Sequence, residues 1–227
     1  YMEPVAVFSD IGKYSSPDEF PTAKEEKGDT LLELETLKAG DLPIVSGKKE
    51  NEVMGMAVFK KDKLVAIAGG VEATAYKMLM GDYNYSFWSI TDPQAEGLYV
   101  MMNVTQRSKP KIKTNIEGDK ATIKITLDFE GDIVSIQSGI DYETNLEIIE
   151  ETTKQQVKEN IMNFLKKTTD EYDSDICGFG RYVKAKFLTW DQWKEFNWPE
   201  KYKNTTFDVE VKFDIRRTGL MVRSTRS

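Results

Sequence analysis

Residues 205–220, which read TTFDVEVKFDIRRTGL, hold the most regular pattern in the sequence. Apolar and charged residues alternate along it: Phe207, Val209, Val211, Phe213 and Ile215 on one side, and Asp208, Glu210, Lys212, Asp214 and Arg216 on the other. Successive side chains of a strand point to opposite faces, so this alternation predicts a half-buried β-strand. We place this final strand at residues 205–218.

The segment just before it predicts a short helix. Residues 173–187 read DSDICGFGRYVKAKF, and their apolar side chains recur at steps of three and four residues, which indicates an amphipathic helix that begins near Ser174. Gly178 and Gly180 each cost a helix about 1 kcal/mol relative to alanine. We therefore expect this helix to approach another backbone closely. Cys177 lies in the same apolar rhythm, which favours a small buried side chain over a reactive thiol.

Three tryptophans follow within nine residues, and two interpretations of them remain open. Trp190, Trp193, Phe196 and Trp198 could cover a small core, or they could contact a partner or a membrane interface, because indole is an apolar ring with a polar N–H edge. Core packing is the favoured interpretation.

The middle of the chain predicts a sheet followed by a long helix. Apolar runs and alternation predict strands at 98–106, 109–116, 121–129 and 133–136, with a turn at 117–119 and a bulge or bend at Gly131. Residues 144–168 then carry apolar side chains along one helical face, after a capping-box sequence at Thr144–Glu147. We expect this helix to bury that face on its own sheet.

The first part of the chain predicts a smaller unit. Residues 1–28 have the composition of a linker, and residues 30–38 fit a strand or a helix imperfectly. Short apolar runs at 53–60 and 64–68 predict a hairpin, and residues 71–80 predict a helix that Gly81 ends. The aromatic residues between Tyr83 and Trp88 suit an edge strand whose rings cover the core, with a ligand-stacking platform as the alternative.

Composition excludes several classes of function. The net charge of −7 argues against nucleic-acid binding as the main role, although the charge is +5 from Arg181 onward. The chain has no histidine and one cysteine, which removes His-based catalysis, intrachain disulfides and the usual zinc sites. Carboxylates are abundant, but they lie at turns and on polar faces. We predict no enzymatic activity and no cofactor, with a carboxylate-based hydrolase as a remote alternative.

These elements predict an α+β protein of two small domains, each a mostly antiparallel or mixed sheet packed with helices. We place the first domain at residues 1–94 and the second at 95–227. No stretch is apolar for the eighteen or more residues of a membrane span. Because Tyr1 begins neither an open reading frame nor a signal peptide, we expect the chain to be a piece of a longer protein.

Two segments carry a family resemblance. The chain resembles the middle and C-terminal domains of the Ger(x)C family in two places. The first comprises 174–180 (SDICGFG), the tryptophans after it and Arg216–Gly219, and the second comprises 55–60 (GMAVFK) and 63–65 (KLV). These proteins are the C subunits of bacterial spore nutrient germinant receptors. The resemblance implies a noncatalytic lipoprotein, anchored by an N-terminal lipid such as palmitate to the outer face of the spore inner membrane.

The same resemblance implies the partners of the protein: the integral-membrane A and B subunits of the receptor. It supplies no catalytic motif, no metal ligand and no cofactor. As residues that contact a partner we name Arg181, Trp193, Arg216 and Arg217. The alternative function is that of an extracytoplasmic lipoprotein that binds a small molecule, with the aromatic residues 83–88 lining its pocket.

Overall fold

A computed structural model describes residues 55–60, 62–140, 142 and 146–218, with side chains through Arg216. The elements in chain order are β1 (Met56–Lys60), β2 (Lys63–Ala68), α1 (Gly70–Met80), β3 (Ser86–Thr91), β4 (Tyr99–Gln106), β5 (Lys111–Glu117), β6 (Lys120–Ile136), α2 (Leu146–Asp170), α3 (Gly180–Lys184), α4 (Trp190–Phe196), α5 (Trp198–Lys201), a 3₁₀ turn (Tyr202–Asn204) and β7 (Thr206–Thr218). The predicted α+β class is confirmed.

The central strand of the main sheet is β6, which is 17 residues long. Both β4 and β5 pair antiparallel with β6, β5 along its first part and β4 along its second, and β3 adds to β4 as an edge strand. The predicted final strand, β7, pairs parallel with β6 from Thr122↔Thr206 to Ile133↔Thr218. A parallel pair needs a crossover connection. Helices α2 to α5 supply it.

The alternation in β6 and β7 builds the core. Ile123, Ile125, Leu127 and Phe129 of β6 are fully buried, as is Phe213 of β7. The charged residues between them lie on the other face of the sheet, where Arg216 pairs with acids of β6. The sheet therefore has one buried and one wet face, as the pattern predicted.

Gly131 lies inside β6 rather than ending it. The β6–β7 register shifts between Gly131 and Asp132, so the predicted irregularity is present while the strand continues to Ile136. A Cβ at Gly131 would lie 2.6 Å from Cζ of Phe213. The missing side chain thus makes room for a buried ring on the neighbouring strand.

Helix α2 covers the buried face of the sheet. It packs against β7 and β3, and its buried residues follow the predicted face: Ile149, Thr153, Val157, Ile161, Phe164, Leu165, Thr168 and Thr169. The predicted capping box at Thr144–Glu147 depends on residues 144 and 145, which lie outside the described residues. None of the described helices is long and apolar enough to cross a membrane.

The predicted helix from Ser174 is wrong at its start. Residues 171–179 form turns, Gly178 has a left-handed backbone (φ 67°), and α3 begins only at Gly180. The apolar side chains at positions 176, 177 and 179 are buried as the pattern required. A tight turn buries them equally well, so periodicity alone could not distinguish the two structures.

The first described unit consists of the β1–β2 hairpin and α1, which Gly81 ends in a left-handed conformation. This unit packs on the rest of the protein through contacts between its helix α1 and helix α2, and an ion pair joins Glu72 of α1 to Lys167 of α2. The proposed domain boundary near residue 94 lies in the turn between β3 and β4. Because those strands pair with each other, the two sides of that boundary share one sheet. The division into two domains stays a prediction.

Candidate functional site

The carboxylate of Asp175 organises the turn before α3. It accepts hydrogen bonds from the backbone N–H groups of Phe179 (2.8 Å) and Gly180 (2.6 Å) and from the indole Nε1 of Trp198 (2.9 Å). Burial raises the pKa of Asp175 above its usual range, against the opposing effect of these hydrogen bonds. Asp175 thereby fixes α3 relative to α5.

Gly180 is explained by the same cluster. A Cβ at this position would lie 2.7 Å from Nε1 of Trp198. We expected the glycines of this segment to admit another backbone. The close neighbour is instead an indole side chain, which reaches over Gly180 to donate to Asp175.

A continuous row of aromatic rings runs through the segment that follows. Ring centroids 4.9 to 6.4 Å apart connect Phe187, Trp193, Phe196, Trp198, Tyr202, Phe207 and Phe179 in turn. Trp193, Phe196 and Trp198 are buried, which agrees with the core interpretation for these three. Trp190 is 47% exposed, so the contact interpretation applies to it alone.

Cys177 lies in the interior beside this row. It is a buried free cysteine, and burial raises its pKa well above the usual value for a thiol. A thiol needs a thiolate fraction to react. The structure therefore agrees with the interpretation of Cys177 as a small packed side chain.

The four named contact residues do not form one cluster. Arg181 is exposed on α3 with its guanidinium over the ring of Tyr182, whereas Trp193 is only 6% exposed. Arg216 lies on β7, across β6 from the strand against which α3 packs, and pairs with Glu130 (2.9 Å) and Asp132 (3.0 Å). The side chain of Arg217 lies outside the described residues.

The sequence interpretation missed one exposed residue in this segment, Leu188, which lies five positions before Trp193. Leu188 is 95% exposed, the highest value for a large apolar residue in the described part of the chain. It precedes Thr189, whose hydroxyl accepts a hydrogen bond from the N–H of Gln192 and caps α4. That capping sequence was a readable signal for the helix start, but it does not predict which way the preceding side chain points.

A pocket of about 310 Å³ lies between α1, β3 and α2. Its lining is mostly apolar, with a few polar side chains from the two helices: Val71, Thr74, Met78, Phe87, Trp88, Gln156, Val157 and Asn160. Phe87 is 63% exposed at its mouth, whereas Trp88 packs inward on Phe129 and Phe213. Phe87 and Trp88, two of the aromatic residues predicted to line a pocket, thus do so. The predicted edge strand is also present as β3.

No group of three acidic or cysteine side chains among the described residues is arranged to hold a metal ion. The buried acids instead have structural partners. Asp92 accepts hydrogen bonds from Ser138 (2.6 Å), Tyr142 and the N–H of Gln94, and so ties the β3–β4 turn to the loop after β6.

One family model matches most of the chain, and one solved structure has a similar fold. The family model described as "Spore germination B3/ GerAC like, C-terminal" matches residues 54–219. A solved structure, the crystal structure of the GerBC protein, is similar with a TM-score of 0.62 at 20% sequence identity, over 72% of this chain and 51% of that chain. The chain thus spans about half the length of that protein. No curated protein matches significantly.

Proposed function

Because this chain belongs to the spore germination B3/GerAC-like family, as the resemblance implied, we propose that it is a noncatalytic C subunit of a spore nutrient germinant receptor. In this proposal a lipid anchor holds it at the outer face of the spore inner membrane, where it docks with the integral-membrane A and B subunits. The observation that carries the proposal is the family match across residues 54–219. The likeness to the GerBC structure supports it at the level of fold.

Docking rather than catalysis is supported by the chemistry of the described residues. The Asp175 and Asp92 carboxylates are occupied by hydrogen bonds within the protein. The Cys177 thiol is buried. What the structure offers to a partner is surface: the edge strand β3 with exposed Phe87, exposed Tyr85 just before it, and the exposed end of α3 with Arg181. Exposed aromatic residues on an edge strand are a common partner-binding feature.

The test is a germination assay on spores that lack this gene and its paralogues. Dipicolinate release is followed after nutrients and, in parallel, after a non-nutrient trigger that bypasses receptors. We expect loss of the nutrient response with the bypass response intact. Normal release with every nutrient would contradict the proposal.

A copurification experiment tests the docking step separately. The full-length protein, tagged and expressed in spores, is purified from detergent-solubilised membranes, and the eluate is probed for the A and B subunits. Retention of both is expected. A germination defect without copurification would leave a role in germination but remove the receptor-subunit assignment.

The α1–β3–α2 pocket favours a second candidate, small-molecule binding. A ligand that fills it would raise the melting temperature by mass action. In a thermal-shift screen of germinants, a ligand of this pocket should lose its effect in Asn160→Trp, which narrows the lining, and keep it in Lys158→Trp, an exposed position of α2 outside the lining. No stabilisation by any compound would remove this candidate.

A further inference from the structure

Two apolar side chains point into solvent where α4 begins: Leu188 in the turn between α3 and α4, and Trp190 as the first residue of α4. Leu188 is 95% and Trp190 47% exposed, although Phe187, between α3 and Leu188, packs inward on Trp193 and Phe196. The residue before a helix N-cap usually packs against the fourth helical residue. Here the N-cap is Thr189 and the fourth residue is Trp193, but Phe187 occupies the contact that Leu188 would make.

The outward position of Leu188 is held by hydrogen bonds. Its own N–H donates to Oε1 of Gln192 (3.2 Å), and the Gln192 N–H donates to the Thr189 hydroxyl (3.3 Å). On the other side, the N–H of Phe187 donates to the carbonyl of Lys184 (3.0 Å). One exposed apolar side chain is ordinary, but two large ones, Leu188 and Trp190, are exposed two residues apart next to a loop tied at both ends, and such a pair points to a contact surface.

The charge around this turn is basic in an acidic protein. Residues 181–195 contain four Lys/Arg and two Asp/Glu, whereas the whole chain carries −7. Lys184 places its Nζ 4.6 Å from the centre of the Trp190 ring, and Lys194 places its Nζ at 5.9 Å. Trp190 and Lys194 lie four residues apart on one stripe of α4, and Asp191 and Glu195 lie on the next. Two lysines therefore flank the ring of Trp190, and a third, Lys186, is exposed two residues before Leu188.

We propose that the α3–α4 turn contacts the surface of an anionic bilayer, with Leu188 and Trp190 inserted at the level of the headgroups and Lys184, Lys186 and Lys194 on the lipid phosphates. Tryptophan prefers the membrane interface, and lysines beside it are attracted to anionic lipid. Two protruding side chains bury too little area for a stable protein interface. The same two side chains can insert into a membrane interface when the attraction of nearby lysines to anionic lipid adds to their burial. This contact goes beyond docking on receptor subunits and does not rest on that proposal.

Vesicle binding by the 227-residue chain tests the proposal. We expect it to sediment with phosphatidylglycerol/phosphatidylcholine vesicles, to bind pure phosphatidylcholine much more weakly, and to lose binding as salt is raised. Leu188→Glu should lower partitioning at least about tenfold, because burial of one leucine is worth roughly 1.5–3 kcal/mol. The double variant Lys184→Glu/Lys186→Glu should lower it at least about 25-fold, since each lysine contributes about 1 kcal/mol.

Matched controls distinguish binding through this surface from effects of net charge or of exposed apolar residues elsewhere on the protein. Leu64→Glu changes an exposed leucine on β2, and Lys212→Glu an exposed lysine on β7. Both should bind within about twofold of the unmodified chain. The proposal would be overturned if the unmodified chain failed to bind anionic vesicles, or if Leu188→Glu bound as well as Leu64→Glu.

Tryptophan fluorescence gives an independent readout of insertion. Trp190 is the most exposed tryptophan, and the other three take part in the core. A blue shift on addition of anionic vesicles is expected in the unmodified chain and absent in Trp190→Phe, which should still sediment because phenylalanine remains apolar. A blue shift that persists in Trp190→Phe would contradict insertion at this position.

Discussion

At the scale of single residues, Asp175 holds the turn from which α3 starts. Three donors converge on its carboxylate: two backbone N–H groups and the Trp198 indole. Asp175→Ala leaves all three without their acceptor, and buried donors without partners are costly. We expect the free energy of unfolding to fall by about 2–4 kcal/mol. Urea unfolding measures this, with Asp170→Ala, an exposed acid at the end of α2, as the control that should change it by less than about 1 kcal/mol.

Asp92 gives the protein a defined sensitivity to acid. Burial raises its pKa, but hydrogen bonds from Ser138, Tyr142 and the backbone together outweigh burial and bring the pKa below the usual value. A carboxyl with a lowered native pKa stabilises the fold above the unfolded pKa of about 4, and this contribution is lost as the pH falls through the native pKa.

Asp92→Asn tests that sign. The variant should be less stable than the unmodified protein at pH 7 by about 1–3 kcal/mol, because the charge-assisted hydrogen bonds are weakened. The difference should shrink as the pH falls below about 4 toward the native pKa of Asp92, since the unfolded chain takes up the proton first. Urea midpoints at three pH values measure it. A difference that stays constant down to pH 3 would show that the Asp92 carboxylate does not contribute.

At the scale of elements, alternation predicted strands better than the three- and four-residue rhythm predicted helices. Strands β6 and β7 lie where the pattern placed them because each apolar residue must face one side of a sheet. The rhythm at 176–187 was satisfied instead by a turn and a five-residue helix, α3. The turn depends on the left-handed Gly178 and on the Trp198–Asp175 hydrogen bond, a contact across 23 residues that no local pattern contains.

The site was predictable to a lesser degree than the fold. Sequence indicated that Trp190 to Trp198 served either a core or a contact, and the structure divides them, with only Trp190 outside. That division depends on Phe187 occupying the place beside Trp193. Leu188 is exposed because Phe187, and not Leu188, packs on Trp193 in the folded protein. The sequence alone does not indicate which of the two makes that contact.

Gly131 offers the test at this scale. A methyl group there would meet the ring of Phe213, which is fully buried and cannot swing away. Gly131→Ala should therefore lower the free energy of unfolding by about 1–3 kcal/mol, despite the usual gain from replacing a glycine in a strand. Gly70→Ala is the matched control, because its Cβ would meet nothing within 4 Å, and it should be neutral or slightly stabilising. Equal effects of the two substitutions would contradict the packing argument.

At the scale of the whole molecule, the question is where one folding unit ends. The predicted boundary near residue 94 followed a change in composition, but β3, which lies before it, pairs with β4 along six residues. Ile90 of β3 is buried in the same core as the residues of β4 and β6, and Trp88 packs on Phe129 and Phe213. A unit cut at residue 95 would therefore expose one edge of β4 and remove three large side chains, Tyr83, Trp88 and Ile90, from the core.

Two fragments distinguish the alternatives. The fragment 82–227 keeps β3, whereas 95–227 lacks it, and both lack α1. They differ in β3 and in the buried residues that flank it, Tyr83 and Asp92. We expect 82–227 to unfold at a higher urea concentration, with a difference of at least about 3 kcal/mol from burial of Tyr83, Trp88 and Ile90 and from the hydrogen bonds of Asp92. The fragment 95–227 should aggregate more readily, because the uncovered edge of β4 can pair with another chain. Equal stability of the two fragments would restore the boundary at residue 94 and make β3 an accessory of the first domain. A large difference would move the start of the second domain to the loop after α1, so that the β1–β2–α1 unit alone forms the described part of the first.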